Sequence, residues 1–243
     1  MTKGCLVVHG LTGTPATVSV LCEALLAAGY RVAAPCLAGH GGSLEELSKT
    51  TWHEWYNTVR IAFGALRREV DRIYYAGTSL GALLGLKLAQ EEGWGVRALA
   101  LLSTPLKLAL LNRMAAPAVR YSPLRYVIKM IPKSPDKSVA NEEGRRRYEE
   151  LSLPMIPAQS VYQIMDLQKE LRANLHRVSS PVLLAHGGKD LVAPTSNVRL
   201  VKKLVASDIV ETAFFRRSRH VLTMDWEKEE VARTVVDFFK KFA

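Results

Sequence analysis

The sequence lacks any apolar run that is long enough to cross a membrane as a helix. Its most apolar stretch, residues 98–111, is interrupted by two hydroxyl residues, a proline and a lysine, whereas a membrane-spanning helix needs about 20 apolar residues. The start of the chain also lacks the pattern of a secretory leader. Only four apolar residues follow Lys3 before a His-Gly pair, and a leader needs about 7–15. The sequence therefore predicts neither a membrane span nor a leader.

Cysteine is scarce, and its spacing excludes the usual cysteine-based sites. The three residues, Cys5, Cys22 and Cys36, contain no Cys-x-x-Cys pair. Structural zinc sites and disulfide frameworks depend on paired, closely spaced cysteines. We therefore expect three reduced thiols, no metal and a cytoplasmic location.

Acidic residues are in the minority, with 23 Asp and Glu against 33 Lys and Arg, which gives a net charge of +10. Half of this excess lies in residues 105–160, which carry ten basic and five acidic residues. Because no nucleic-acid-binding module accompanies the charge, we expect no nucleic-acid partner. We interpret the basic residues as solvated helix faces, and docking on an anionic lipid surface remains the alternative.

Short apolar segments alternate with amphipathic ones along most of the chain. The strand candidates are residues 5–9, 30–35, 72–77, 98–103, 182–186 and 209–215. The helix candidates between and after them are residues 16–28, 51–70, 80–90, 195–205 and 228–242. Continuous apolar strands are typical of parallel sheets that are covered on both faces. The pattern predicts an α/β fold with a doubly wound, mostly parallel sheet of about six strands.

One connection, between the strands ending at 103 and starting at 182, is too long to be a loop. It contains several prolines and helical patterns but no clear buried strand, and compact domains rarely hold structureless loops of this length. We therefore predict an inserted helical cap, residues 105–160, on a core of residues 1–104 and 161–243. The apolar candidates for a pocket lining in this cap are Leu106, Leu108, Leu110, Leu111, Met114, Val119, Met155 and Ile156.

The clearest chemical motif is Gly-Thr-Ser-Leu-Gly at residues 77–81, between a predicted strand and a predicted helix. This context is that of a nucleophile elbow, in which a serine is held on a sharp, strained turn. The motif alone is expected by chance about 0.1 times in a chain of this length, so the strand and helix around it carry the argument. Ser79 is the candidate nucleophile, and a simple capping serine is the alternative.

A nucleophilic serine needs a general base, and in this fold the base follows the serine in the chain. The histidines after Ser79 are His176, His186 and His220. Only His220 follows the last predicted strand, in a loop at the carboxyl edge of the sheet where catalytic groups collect. His220 is therefore the predicted base, with an ordinary surface histidine as the alternative.

The base in turn needs an orienting carboxylate on a loop at the same edge. Asp190 follows the strand candidate 182–186, whereas Asp208 precedes a strand and so lies at the opposite edge. Asp225 stands near a helix start, where a carboxylate needs no catalytic reason. Asp190 is the predicted acid, and an ordinary turn residue is the alternative.

The Gly-rich loop at residues 9–15 follows the first predicted strand. It lacks the lysine of a P-loop and the spacing of a dinucleotide-binding loop, so phosphate binding is disfavoured. A loop of this kind can direct backbone N–H groups at a developing oxyanion. We assign this role to the N–H groups of Leu11 and of Leu80, which directly follows Ser79.

Five segments together resemble the serine carboxylesterases and monoacylglycerol lipases of the α/β-hydrolase superfamily. They are HGLTGTP at 9–15, LAGHG at 37–41, GTSLG at 77–81, HGGKDLVAP at 186–194 and SRH at 218–220. The resemblance implies Ser79 as nucleophile, Asp190 as acid, His220 as base and an oxyanion hole at Leu11 and Leu80. It gives His40 a structural role and implies no cofactor.

This resemblance implies an acyl-enzyme hydrolase of small to medium acyl esters or monoacylglycerols. Members of the superfamily usually carry an aromatic residue where Leu11 stands, so the acyl pocket is expected to differ in shape. They also begin with an additional strand or hairpin, whereas only four residues precede the first strand candidate here. The sheet is therefore expected to have about six strands. Thioesterase, peptidase or lactonase activity, and a ligand-binding protein of low turnover, are the alternatives.

Overall fold

The computed structural model describes the backbone of residues 1–243 and all side chains except those of residues 110–113. The strands are β1 (Lys3–Val8), β2 (Arg31–Ala33), β3 (Arg72–Thr78), β4 (Leu99–Leu102), β5 (Met130–Pro132), β6 (Met155–Pro157), β7 (Val182–Gly187) and β8 (Val210–Phe215). Six of them form one parallel sheet in the order β2-β1-β3-β4-β7-β8. The predicted parallel sheet of six strands is confirmed.

Helices cover both faces of this sheet. They are α1 (Ser19–Ala27), α2 (Leu44–Lys49), α3 (Trp52–Leu66), α4 (Leu80–Glu92), α5 (Leu110–Arg120), α6 (Pro135–Ser138), α7 (Glu142–Glu150), α8 (Ala158–Asn174), α9 (Ser196–Leu204) and α10 (Lys228–Lys240). One core cluster lies between the sheet and α2, α3, α4, α8 and α9, and a second lies under α1 and α10. Within the described residues, no helix has the length and apolar character that a membrane crossing requires.

Strand β1 shows why apolar runs rather than alternating patterns marked the strands. Leu6 and Val8 contribute to one core cluster, and Cys5 and Val7 contribute to the other. Successive side chains of a strand point to opposite faces, so a sheet covered on both faces needs apolar residues at every position.

The segment between β4 and α8 contains α5, α6 and α7, together with the antiparallel strand pair β5–β6. The sequence analysis found helical patterns and no clear buried strand here, and it gave no sign of this short, partly buried strand pair. Both strands have the sequence Met-Ile-Pro, and three residues ending in proline are too short to show a strand period. Of the predicted lining residues, Leu106 is buried and Met114 is exposed. The side chains of Leu110 and Leu111 lie outside the described residues.

Candidate active site

Ser79 occupies a sharp turn between β3 and α4. Its backbone has φ +53° and ψ −110°, a left-handed conformation that costs energy for any residue other than glycine. The Ser79 N–H donates to the Leu102 carbonyl oxygen at 2.9 Å. A Cβ atom on Gly77 would collide with the backbone of Gly81, and one on Gly81 would collide with the end of β1. The two glycines therefore allow the close approach that this turn requires.

The structure brings the predicted base and acid to Ser79. His220 Nε2 lies 2.8 Å from Ser79 Oγ, and His220 Nδ1 lies 2.8 Å from Asp190 Oδ2. The side chain of Asp190 is fully buried, and that of His220 is 7% exposed. With Asp190 ionised, Nδ1 carries the proton and Nε2 is left to accept from the serine hydroxyl.

The carboxylate of Asp190 is held by more than its histidine partner. Oδ1 accepts the N–H groups of Val192 and Ala193, both at 2.8 Å, and His186 Nε2 lies 3.2 Å from Oδ2. Burial by itself would raise the pKa of this carboxyl. The electrostatic interaction with His220 and the hydrogen bonds from both histidines and from Ala193 outweigh it and hold the pKa well below its usual range. Asp190 is therefore an anion at neutral pH.

His186 is a contributor that the sequence analysis passed over. Its ring is buried at the end of β7, and Nε2 also lies 3.0 Å from the Ala193 carbonyl oxygen. The ring thus contacts both Asp190 and the loop that positions it. His186 stands four residues before the predicted acid, but this spacing alone does not show that the two side chains are in contact.

Of the two predicted oxyanion donors, one begins α4 directly after Ser79 and the other lies on the loop after β1. Leu80 is the first residue of α4, where a backbone N–H has no acceptor within the helix. Leu11 follows Gly10, whose Cα lies against Ser79: a Cβ there would be 3.4 Å from the Ser79 Cβ. For neither N–H does the described part of the chain supply a hydrogen-bond acceptor. Neither N–H is therefore occupied by an acceptor of the described chain.

His9 fixes the loop that carries Leu11. Its Nδ1 lies 2.8 Å from the Gly10 carbonyl oxygen, and its Nε2 accepts the Leu37 N–H at 3.1 Å. Burial and, to a smaller extent, the nearby His40 together lower the pKa of His9 to about 3, although the hydrogen bond to Gly10 opposes them. A neutral ring is required, because Nε2 accepts a hydrogen bond.

His40 packs edge-on against His9, with ring centroids 5.2 Å apart, and burial lowers its pKa to about 4. This position is consistent with the structural role that the resemblance implied for His40. Both histidines are neutral in the folded protein at neutral pH, whereas an unfolded histidine protonates near pH 6.5.

We expect the free energy of unfolding to fall as the pH is lowered from about 6.5 toward 4. Over this window the unfolded chain binds protons at His9 and His40 that the folded chain does not, so stability falls by about 1.4 kcal/mol per pH unit for each histidine. Urea unfolding at a series of pH values measures this slope.

The variant His40→Asn should flatten the slope because it removes one of the two titrating rings. The substitution should be tolerated, since Asn can still donate to the Ala38 carbonyl oxygen that His40 Nδ1 contacts. His53→Asn is the matched control, because His53 is exposed. Equal slopes for the wild type and His40→Asn would contradict the assignment.

Asp225 serves as a structural anchor rather than as a carboxylate at a helix start. Its side chain is buried, and α10 begins only at Lys228. Oδ2 accepts the N–H groups of Ala140 and Arg219, and Oδ1 accepts those of Asn141 and Trp226, all at 2.7–2.9 Å. The carboxylate thus ties the predicted cap to the residue before His220.

The variant Asp225→Asn should lower the free energy of unfolding by about 2–4 kcal/mol, because an amide NH2 group would face two backbone donors in a buried site. The sequence interpretation, by contrast, gave Asp225 no important role. Denaturant unfolding measures the loss, and Asp208→Asn on the exposed opposite edge is the control. Equal destabilisation by both substitutions would contradict the anchoring role.

The remaining predicted candidates lie apart from this cluster or carry no metal-binding pattern. His176 is exposed in a short 3₁₀ segment after α8. The three cysteines are free thiols. In the part of the chain that the structure describes, no group of three or more His, Cys, Asp or Glu side chains is placed to hold a metal.

The sheet order and the serine turn define an α/β hydrolase. A sequence model of the Hydrolase_4 family, described as serine aminopeptidase S33, matches residues 2–227. The chain belongs to this family and is a serine hydrolase of the carboxylesterase and monoacylglycerol lipase-like type.

The individual relatives include lipolytic enzymes of known activity. The chain is 30% identical over 244 aligned positions to a thermostable monoacylglycerol lipase from Bacillus sp. strain H-257, covering 99% of this chain and 91% of that protein. It is 27% identical over 240 positions to a carboxylesterase from Bacillus subtilis, covering 98% and 93%. A solved structure described with the metagenome-derived lipolytic enzymes LipS and LipT superposes with a TM-score of 0.88 at 26% identity, covering 98% and 94%.

Proposed function

We propose that the protein hydrolyses carboxylic esters with small to medium acyl groups, or monoacylglycerols, through an acyl-enzyme on Ser79. The observation that carries this proposal is the chain of two 2.8 Å contacts from Asp190 through His220 to Ser79. This arrangement can generate a serine nucleophile at neutral pH. The relatives named a monoacylglycerol lipase and a carboxylesterase support the choice of substrate class.

In the first half of the reaction, Ser79 Oγ attacks the ester carbonyl carbon while His220 Nε2 takes the hydroxyl proton. The buried Asp190 carboxylate stabilises the resulting imidazolium and keeps its proton-bearing Nδ1 in place. The tetrahedral intermediate collapses, the C–O bond to the alcohol breaks, and His220 passes its proton to the departing alkoxide. An acyl group remains on Ser79.

In the second half, water repeats the same steps on the acyl-enzyme. His220 Nε2 takes a proton from the water molecule, the hydroxide adds to the acyl carbon, and the Ser79 oxygen leaves and regains the proton. In both halves the negative oxygen is stabilised by the N–H groups of Leu11 and Leu80, which are fixed in advance by His9 and by the start of α4. No metal or organic cofactor takes part in these steps.

We also propose that residues 105–160 form a cap on a core of residues 1–104 and 161–243. The cap contacts the oxyanion loop directly, since the Leu153 N–H donates to the Thr12 carbonyl oxygen at 2.9 Å and Thr14 Oγ1 donates to the Leu151 carbonyl oxygen at 3.1 Å. A cap in this position can limit acyl length and exclude water.

We further propose a cytoplasmic location for the protein, which the free thiols support.

The test is a chain-length series of p-nitrophenyl esters and glycerol monoesters. We expect the highest kcat/KM for short to medium acyl chains, with ordinary saturation in dissolved substrate. Thioesters and lactones belong in the same panel. Short peptides with a free amino terminus also belong there, because the family description names an aminopeptidase. Turnover of any of these compounds together with no turnover of the esters would refute the esterase assignment. No turnover of any compound would indicate a ligand-binding protein instead.

A second candidate, an enzyme that acts at lipid interfaces, is favoured by one surface feature. The large apolar side chains that are exposed between residues 114 and 127 are Met114, Tyr121, Leu124, Tyr126 and Val127. If this surface docks on lipid, activity should rise sharply once the substrate exceeds its solubility limit, and high salt should reverse the rise where basic residues contribute. We expect no such rise for the esterase.

A further inference from the structure

A groove of about 270 Å³ lies between α5 and α8, and none of the residues proposed for catalysis lines it. Small-molecule sites usually have volumes of about 300–1,000 Å³, so an occupant of this groove would be small. The described residues on its walls include both cationic and apolar side chains, and each of the two helices contributes both kinds.

Among the residues whose side chains the structure describes, four cations and one carboxylate line the groove. Arg120 uses both terminal nitrogens to bind the two oxygens of Asp166, each at 2.8 Å, so this pair is neutral as a unit. The other three, Lys107, Lys169 and Arg172, form no ion pair with any residue that the structure describes. Arg172 has one long contact of 3.4 Å, to the Leu106 carbonyl oxygen, which leaves most of its donors free.

The position of Lys107 is fixed by the fold. Asn197, which is buried at the start of α9, accepts the Lys107 N–H at 2.7 Å and donates to the Lys107 carbonyl oxygen at 2.9 Å. Lys169 and Arg172 stand three positions apart on α8 and therefore share one face of the helix. Three like charges on one small groove repel one another unless an anion neutralises them.

Part of the groove wall is apolar. It includes Leu108, Ala116, Pro117 and Met165, which are all partly buried, and Tyr121 and Gln168 complete the described lining. An inorganic anion would leave this wall in contact with water, whereas an alkyl chain would cover it and gain free energy from burial. A methionine in such a wall can adapt to chains of different shape.

We propose that the α5–α8 groove is a second binding site, specific for an anionic amphiphile of medium chain length. The head group, a carboxylate or a phosphate monoester, contacts Lys107, Lys169 and Arg172, and the alkyl chain lies against Leu108 and Met165. A medium-chain carboxylate is also the acid that the proposed hydrolysis would release. The binding site itself does not depend on that activity.

Calorimetric titration with decanoate, below its micelle concentration, tests the proposal on the full chain carrying Ser79→Ala, which removes turnover. The double substitution Lys169→Gln/Arg172→Gln should weaken decanoate binding about tenfold, the effect of losing two exposed charge contacts. Lys202→Gln/Lys203→Gln on the exposed end of α9 is the matched control and should leave binding unchanged. Unfolding midpoints of both variants verify that the fold is retained.

Three further ligands identify what the groove recognises. Decyl phosphate should bind at least as tightly as decanoate if the site prefers phosphate, and more weakly if it prefers carboxylate. Decanol and inorganic phosphate should both bind at least about tenfold more weakly than the better amphiphile. Equal affinity for decanol, equal affinity for inorganic phosphate, or decanoate binding that is unchanged by Lys169→Gln/Arg172→Gln would each overturn the proposal. Failure of the proposed ester hydrolysis would appear separately, in the ester panel.

Discussion

Replacing Ser79 with alanine should abolish labelling by a fluorophosphonate probe and lower kcat by about 10⁴-fold or more. The probe forms a covalent bond only with an activated nucleophile, and Ser79 Oγ is the hydroxyl that lies 2.8 Å from His220 Nε2. Mass spectrometry of the wild type should find one adduct on the peptide that contains Ser79. The kinetic loss is measured on the ester that the wild type hydrolyses fastest.

Ser103 provides a matched control for this experiment. It is also a serine at the end of a strand with a positive φ, +51°, and its buried Oγ has no hydrogen-bond partner among the described residues. Ser103→Ala should therefore keep full labelling. Labelling that persists in Ser79→Ala, or that disappears in Ser103→Ala alone, would show that Ser79 is not the nucleophile.

The variant Asp190→Asn should lower kcat by about 10⁴-fold with a much smaller change in KM. An asparagine can still accept the N–H groups of Val192 and Ala193 through its carbonyl oxygen, but its NH2 group then faces His220. The imidazole would turn to the tautomer that accepts at Nδ1 and carries its proton on Nε2. In that state Nε2 cannot take the proton of Ser79.

Stability must be measured beside the kinetics, because Asp190 is buried. Its pKa is held well below the usual range, so the ionised carboxylate stabilises the fold above about pH 4, and this contribution is lost as the pH falls toward its folded-state pKa. Asp190→Asn should therefore unfold at lower denaturant concentration than the wild type at pH 7. A kcat within tenfold of the wild type would show that another carboxylate orients His220.

The comparison with Asp225→Asn separates the two buried aspartates. Asp190 contacts the ring of His220, whereas Asp225 contacts the backbone of Arg219 and of the cap. We therefore expect a mainly kinetic effect at Asp190 and a mainly thermodynamic effect at Asp225. Assigning these different roles required the structure, since both residues are aspartates on loops near the end of the chain.

Local chemistry explains why so much of the core was predictable. Apolar runs such as Val182–Gly187 identify strands that are buried on both faces, and a serine between two glycines fits the close turn between β3 and α4. Residues at the carboxyl ends of parallel strands meet at one edge of the sheet. This rule placed Asp190 and His220 near Ser79 before any distance was known.

Two of the misses have the opposite property, since they depend on contacts between distant parts of the chain. The pairing of β5 with β6 joins residues about 25 positions apart with two three-residue strands, which have no periodicity to detect. The anchoring of residues 140 and 141 by Asp225 spans about 85 positions. No spacing rule predicts such pairs.

The sequence by itself determined the α/β architecture, the strand count of the parallel sheet and the identity of the residues proposed for catalysis, because strand burial, turn chemistry and chain order are local or topological properties. Only the tertiary structure decided how His9 and His186 hold the neighbouring loops, why Asp225 is buried, and that Lys107, Lys169 and Arg172 converge on one groove. Those features depend on which surfaces pack together. Packing joins residues that the sequence keeps far apart and also sets which near neighbours touch, so it is visible only in the folded chain.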